Sequence, residues 1–368
     1  MKVSCTQENL QKGLSIVGRL VGVRTTLPVL NNILLKTEKG RLKVSATDLE
    51  VGISTWIGAK VDQEGAITCP AKLLLDYINT NNDKKINLEL KDLNLHLESE
   101  HYKANIKGID ASEFPLIPEV KKTQEIEVLT KDLANAISKT VIAAALDESR
   151  PVLAGIFVEA AADKMKMVAT DSYRLAEQKI NLGKKIDIKT SFILPQRTMI
   201  EVARILTDGA EKVKIYPSEN QVEFVLGETV LVSRLIEGAF PDYEQIIPKN
   251  VKTKVQTKAN EFSVALKMAS LFARESANNI KLKITPPDKV EVLAVSPHVG
   301  DNVSEVKGAI SGDSLEIAFN AKFILDVLSV IGSEEITLEL SNNLAPGILR
   351  GKTDPNYLYV IMPLRIEE

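Results

Sequence analysis

Two aspartates stand in matching surroundings, Asp48 in VSATDLEVG (44–52) and Asp171 in MVATDSYRLA (167–176), each just after an alternating apolar run. Repeated carboxylates could supply general acid–base chemistry, or they could hold one structural unit that is used more than once. Ser172 follows Asp171, but no Gly-x-Ser-x-Gly elbow surrounds it as a nucleophile would need. Of the three histidines, His96 and His101 fall in the alternating stretch NLHLESEHYKANI and are expected on a sheet surface, and His298 in a turn. None has a cysteine or acidic partner at metal-ligand spacing. GLSIVG and GVRTTLP lack the lysine and glycine spacing of a phosphate loop. Cys5 and Cys69 form neither a disulfide framework nor a metal cluster, and two buried thiols are expected. No catalytic residue, metal or cofactor is expected from these residues.

Positioning such residues requires elements, and the elements recur. TQENLQKGLSIVGRLV places Leu10, Leu14, Val17 and Val21 on one helix face. TKDLANAISKTVIAAA does the same with Leu133, Ile137 and Val141, and KANEFSVALKMASLFA with Phe262, Leu266, Ala269 and Phe272. A second helix recurs as CPAKLLLDYIN, LPQRTMIEVARIL and FNAKFILDVLSVIG, the first two opening on a proline at or near the first turn. Between the helices RLKVSA, KMKMVA and KVEVLAV alternate as half-exposed antiparallel strands. IDASEFPLIPE (109–119) and IEGAFPDYEQIIPK (236–249) echo one another as Phe-Pro turns leading into linkers.

Three diverged copies of one α+β unit, each with two helices and about eight short strands on antiparallel sheets, therefore account for the chain. The expected domains are 1–122, 123–249 and 250–368. In the third copy Ser296 and Pro297 replace the Thr-Asp pair. An aspartate that one copy dispenses with is better read as a turn or cap acceptor than as a catalyst.

At 368 residues the chain has room for two or three domains, and 44% apolar with 26% charged residues is an ordinary globular balance. No apolar run approaches a membrane span, and MKVSCTQENLQKGL has no signal core, so a cytoplasmic protein is expected. The net charge of −3 argues against a uniformly basic nucleic-acid binder, but phosphates feel the local field. Basic residues recur on the helices: Lys12, Arg19, Lys131, Lys139, Arg197, Arg204, Lys267, Arg274 and Lys322, with Lys72 opening a second helix and Arg24 just after the first. If the helices share one face, that face is positive while the sheets carry the acids. Aromatics at 5% give no stacking platform, so the contact would read phosphates and not sequence.

With MKV at the start, VGVRTTLPVLNNILL (21–35), VSATDLEVG, VLAGIFVE (152–159), VATDSYRLA, GAFPDYEQIIPKN (238–250) and YLYVIMPLRI (357–366), the chain resembles the bacterial replicative sliding clamps, the beta subunits of DNA polymerase III. The resemblance runs the full length, in order. It implies the DNA-clamp fold and a head-to-tail homodimer ring, with helices lining a central hole and antiparallel sheets forming the rim. It implies a processivity factor that encircles duplex DNA, slides without sequence specificity and tethers other proteins through a hydrophobic peptide-binding cleft. The partners implied are duplex DNA, the replicative polymerase, an ATP-dependent clamp loader, and other clamp-binding polymerases and repair proteins, with a cytoplasmic, nucleoid-associated location. The alternative is a non-encircling scaffold or inhibitor of the same fold that binds clamp-partner peptides.

Carried over by position, the resemblance assigns the peptide cleft to Leu153, Thr170, Ser172, Tyr173, Arg174, Leu175, Pro241, Ile246, Val360, Met362, Pro363, Leu364 and Arg365. Of the basic residues read from the helices, Lys12, Arg24, Lys72, Lys139, Arg197, Arg204, Lys267 and Arg274 are the ones expected to face DNA. The implied dimer interface uses Lys103, Ala104 and Ile106 against Leu271 and Phe272. Ala104 stands where the family can carry a larger aromatic, which Phe272 opposite would offset. Ser172-Tyr173 replaces the Gly-His common in the family, so the preferred peptide is expected to differ. Glu367 and Glu368 extend past the usual C-terminus and are expected to be solvated.

Overall fold

The computed structural model describes residues 1–22, 27–147, 149–206 and 209–365. Arg24 and the Glu367–Glu368 tail lie outside the described residues. Among those described there are six α-helices: α1 Gln7–Gly18, α2 Ala71–Thr80, α3 Thr130–Val141, α4 Gln196–Ile205, α5 Ala259–Ala273 and α6 Ala321–Val330. They are the two recurring helices of each repeat. Thr6 caps α1, its Oγ1 accepting the Asn9 N–H at 3.3 Å, and Leu10, Leu14 and Val17 are buried on one face. Val21 falls beyond the end of α1 and is only half-buried. Pro70 is the cap residue of α2, and Asn320 caps α6 by accepting the Lys322 N–H at 2.9 Å. None of these helices is long and apolar enough to cross a membrane.

The chain forms two compact units, Met1–Lys131 with Ile200–Leu235, and Asp132–Met199 with Ile236–Glu368. These do not coincide with the repeats, because sheets run across the seams. In the first unit an eight-stranded antiparallel sheet continues from strand Thr229–Arg234 into strand Val51–Ile57, with Ser233 opposite Val51. In the second a seven-stranded sheet continues from strand Arg174–Pro195 into strand Tyr357–Ile361, with Arg174 opposite Ile361. The central repeat thus lends part of itself to each unit. A five-stranded sheet completes the first unit and a four-stranded sheet the second.

The expectation of about eight short strands fails in the central repeat. Its hairpin has two long strands, Gly155–Thr170 and Arg174–Pro195. Register shifts on either side of Ala162, at φ 52°, stand where the first repeat makes a turn at Lys39 and Gly40. The cores are aliphatic. Leu10, Ile33, Leu35 and Leu74 are fully buried in the first unit, and Leu175, Leu266, Phe319 and Tyr357 in the second. Each such side chain contributes about 1.5–3 kcal/mol on burial. Cys5 and Cys69 are buried free thiols, both pushed up to about 12 by burial.

Candidate functional site

The Ala-Thr-Asp turn is the same device in both places. Thr170 Oγ1 donates to the Arg174 carbonyl at 2.7 Å and accepts the Ser172 N–H at 3.2 Å. Asp171 Oδ1 accepts the N–H groups of Tyr173 and Arg174 at 2.9 and 3.0 Å. In the first unit Thr47 Oγ1 donates to Val51 at 2.8 Å, and Asp48 Oδ1 accepts from Glu50 and Val51 at 3.1 and 2.8 Å. Leu49 and Ser172 both sit at φ 78°. The third repeat keeps the acceptor with a shorter side chain, since Ser296 Oγ takes the N–H groups of His298 and Val299 at 3.3 and 3.4 Å. These side chains satisfy turn amides that would otherwise be orphaned.

In the second unit this turn forms one wall of a groove. Its conformation turns Ser172 and Tyr173 outward, Tyr173 being 59% exposed. Met362 N–H donates to the Tyr173 carbonyl at 2.8 Å, and Leu364 N–H to the Ala318 carbonyl at 2.8 Å, so the C-terminal segment is pinned alongside. The opposite wall is the segment carrying Pro241 and Ile246, both exposed. It is anchored by Phe240 stacked on Phe157 (5.1 Å, 16°) and by the Tyr243 hydroxyl donating to Glu177 at 2.6 Å. Burial, and then the Glu177 carboxylate, push the Tyr243 phenol far up, which keeps it a donor. Leu175 and Val360 lie beneath, in one buried cluster with Val168, Tyr243, Ile348 and Leu358. A Cβ added to Gly238, at φ 131°, would come within 2.8 Å of Val152 Cγ2, so the loop carrying buried Leu153 sits against the start of that wall. Pro363 is half-buried and Arg365 exposed.

Arg174 is held from within. It is only 8% exposed, with Nε on Asp171 at 2.9 Å, Nη1 on Asp326 at 2.5 Å, and its guanidinium 4.4 Å from the Phe323 ring centroid. Its donors are directed at carboxylates, so it braces the Asp171 turn. Sequence reasoning missed Phe157, Phe240, Tyr243, Glu177 and Asp326. The one available signal was two aromatics flanking Pro241 in AFPDY, more than a solvated turn needs.

Among the expected DNA-facing residues, Lys12, Lys72, Arg197, Arg204, Lys267 and Arg274 are exposed. Lys139 is not. It is 4% exposed, its Nζ lies 2.6 Å from Asp354 and 5.1 Å from the Tyr357 ring centroid, and it is a buried ion pair of the second unit. Ile106 is likewise corrected. In strand Lys103–Lys107 it points inward with half-buried Ala104 and is 3% exposed, while Lys103 and Lys107 point outward. Leu271 is 50% exposed and Phe272 half-buried. His96 lies on strand Asn94–Glu98 as expected, but His101 lies in the turn after it, its Nδ1 2.7 Å from Asp83. Asp83, Glu100 and His101 are the grouping of potential ligand atoms that forms among the described residues, and the ion pair accounts for it.

Three repeats of paired helices on antiparallel sheets, with exposed cations on the helices and an apolar groove beside the C-terminal strand, define a DNA sliding clamp, a non-catalytic processivity factor. The chain belongs to the DNA polymerase III beta subunit family: the models of its N-terminal, central and C-terminal domains match residues 1–118, 127–242 and 244–365. The beta sliding clamp of Staphylococcus aureus is 32% identical over 357 residues, 94% of each chain. The DNA polymerase III beta subunit of Thermotoga maritima superposes with a TM-score of 0.94 at 28% identity, covering 100% of both chains. A Pseudomonas aeruginosa sliding clamp bound to griselimycin gives 0.95 at 28%, again over 100% of both. The protein encircles duplex DNA, slides without reading sequence and tethers replication proteins through a peptide cleft; DNA, polymerase and clamp loader are its partners in kind, in the bacterial cytoplasm.

Proposed function

We propose that the groove of the second unit is that peptide cleft, and that it holds a short extended peptide of the replicative polymerase or of other clamp-binding polymerases and repair proteins. The observation that carries this is the exposed apolar rim of Tyr173, Pro241 and Ile246, with half-buried Met362 and Leu364, over a floor containing Leu175 and Val360. Aliphatic and aromatic side chains fit such walls, and the anchored turns mean that little ordering is needed on binding. Arg174 is already paired with Asp171 and Asp326, so apolar contacts carry most of the affinity and exposed Arg365 is the cation left to a peptide's polar groups. Tethering then raises the polymerase's effective concentration at the primer end.

Domains 1–122, 123–249 and 250–368, two copies joined head to tail and a nucleoid-associated location complete this reading. The family matches to three successive segments support the first of these. A labelled peptide copying the clamp-binding end of the cognate polymerase tests the cleft by fluorescence anisotropy. Ile246→Glu, at a residue 41% exposed, is expected to weaken binding at least about tenfold, ~1.4 kcal/mol, without lowering the melting temperature. Unchanged affinity would place the peptide elsewhere.

A further inference from the structure

We propose that the first unit carries a second peptide groove, built on the same plan as the first and taking a short extended peptide in which an aliphatic side chain neighbours a carboxylate. The inference rests on the reading of the groove in the second unit as a peptide site.

Strand register fixes the correspondence. Val51 pairs with Ser233 as Arg174 pairs with Ile361. Gly52 and Val232 therefore stand where Leu175 and Val360 stand, and Glu50 and Arg234 where Tyr173 and Met362 stand. The hydrogen bond that seats the second strand is also present: Arg234 N–H donates to the Glu50 carbonyl at 3.0 Å, as Met362 N–H does to Tyr173 at 2.8 Å. Phe114-Pro115 leads into the opposite wall as Phe240-Pro241 does. Between these walls lies a cavity of about 480 Å³, bounded by the Thr47–Gly52 turn, the segment Pro115–Pro118, and strand residues Gln221, Val232 and Arg234.

The side chains say what the cavity would take. Ile117 leans over Gly52, where an added Cβ would come within 2.8 Å of its Cγ2, so it packs in the direction that Tyr243 takes over Leu175. Leu49 is 49% and Leu116 92% exposed, an apolar rim that a monomer gains nothing by presenting to water. Arg234 is exposed, and among the described residues its guanidinium has neither an ion pair nor a hydrogen bond. An unpaired guanidinium beside an aliphatic rim selects a carboxylate next to an aliphatic anchor. Exposed Glu50, on the turn, disfavours a peptide that is acidic throughout.

The test pans a phage-displayed library of random peptides on the full chain, native and as Ile246→Glu, Arg234→Glu and Leu116→Glu. All three positions are exposed, and thermal melting checks each fold, with Arg234→Ala and Leu116→Ser replacing any variant that unfolds. Synthetic consensus peptides are then measured by anisotropy. One peptide family should be lost on Ile246→Glu. A second, carrying an acid beside a Leu, Ile or Val, should survive Ile246→Glu and weaken at least about tenfold on Arg234→Glu and on Leu116→Glu. If every selected peptide depends on Ile246 and none on Arg234 or Leu116, the second groove is overturned and the first stands. If none depends on Ile246, the first reading falls and takes this inference with it. Peptides sensitive to Arg234→Glu that carry no acid overturn the assigned chemistry.

Discussion

Asp171 joins the turn it caps to a buried cation. Asp48 and Asp171 both accept two turn amides, but Asp171 also receives the guanidinium of Arg174, whereas valine occupies the matching position after Asp48. Removing Asp171 strands two N–H groups and leaves a buried cation with Asp326 as its remaining ion-pair partner, a loss of about 3 kcal/mol. Asp48→Ala strands the same kind of turn amides but takes no partner from the buried Arg174, so its loss should be the smaller. Melting curves of the two variants should therefore separate clearly, and equal losses would deny Arg174 its bracing role. The Asp83–His101 pair makes a pH prediction. Hydrogen bonds from His101 and Ser99 hold Asp83 at about 2, below its ordinary 3.8, and the Asp83 carboxylate raises His101 above its ordinary 6.5. The depressed acid gives stability that is full above 3.8 and is lost as pH falls toward 2, while the raised imidazole gives stability that is full below 6.5 and is lost as pH rises through its folded value. Both are full between 3.8 and 6.5, so the melting difference between the native chain and His101→Gln should peak there and shrink on either side. The pair is on the surface, so high salt should erase the difference. A difference that stays flat with pH would show that the ring packs but does not pair.

Each second helix of a repeat carries a cation as its second residue: Lys72 in α2, Arg197 in α4 and Lys322 in α6, all exposed. A positive charge in a first turn opposes the helix dipole and costs about 0.3–1 kcal/mol. Threefold use of an unfavourable placement points to phosphate, which the helix N-terminus and the cation would meet together. Replacing Lys72 and Lys322 by Gln should lower the slope of log K against log salt for duplex DNA by about 0.9 for each phosphate no longer neutralised. A steady slope would assign these side chains to solvent. The helices and the Ala-Thr-Asp turns were legible in the sequence because their determinants are local: apolar spacing, a cap residue, an acceptor two or three residues before its donors. Arg174 and Lys139 were not legible. Their partners Asp326 and Asp354 lie 152 and 215 residues away, and no local pattern tells a basic residue on a helix or turn that a carboxylate waits inside. Ile106 was different, since strict alternation with Lys103 and Lys107 outward already turned it inward. The groove was legible as to its turns and its C-terminal strand, but not as to the aromatic anchors behind them.

The edge strands of the described sheets include Lys103–Lys107 in the five-stranded sheet and Gly300–Lys307 in the four-stranded one. Bare edges invite pairing with another chain, and here the two edges are unlike and complementary. One offers Lys103 and Lys107, and the other Asp301 and Glu305 at the same spacing, all exposed. Antiparallel addition of one edge to the other sets Lys103 opposite Glu305 and Lys107 opposite Asp301, with both pairs on the outward face. Val264, Met268 and Leu271 form an exposed apolar stripe on α5, 52, 47 and 50% exposed, that such a contact could cover in place of the family's larger aromatic at Ala104. Because each copy has both edges, copies joined through them run head to tail, as a ring of two requires. Light scattering over a dilution series should give twice the chain mass for the native protein. The double reversal Lys103→Glu, Lys107→Glu should give the monomer, because like charges then face each other across both seams. Adding Asp301→Lys and Glu305→Lys to that chain restores opposite signs at both seams and should restore the dimer. A dimer that ignores the first pair of changes would mean that the edges do not meet in this register. A monomer that the second pair fails to rescue would mean that the two lysines do not face Asp301 and Glu305.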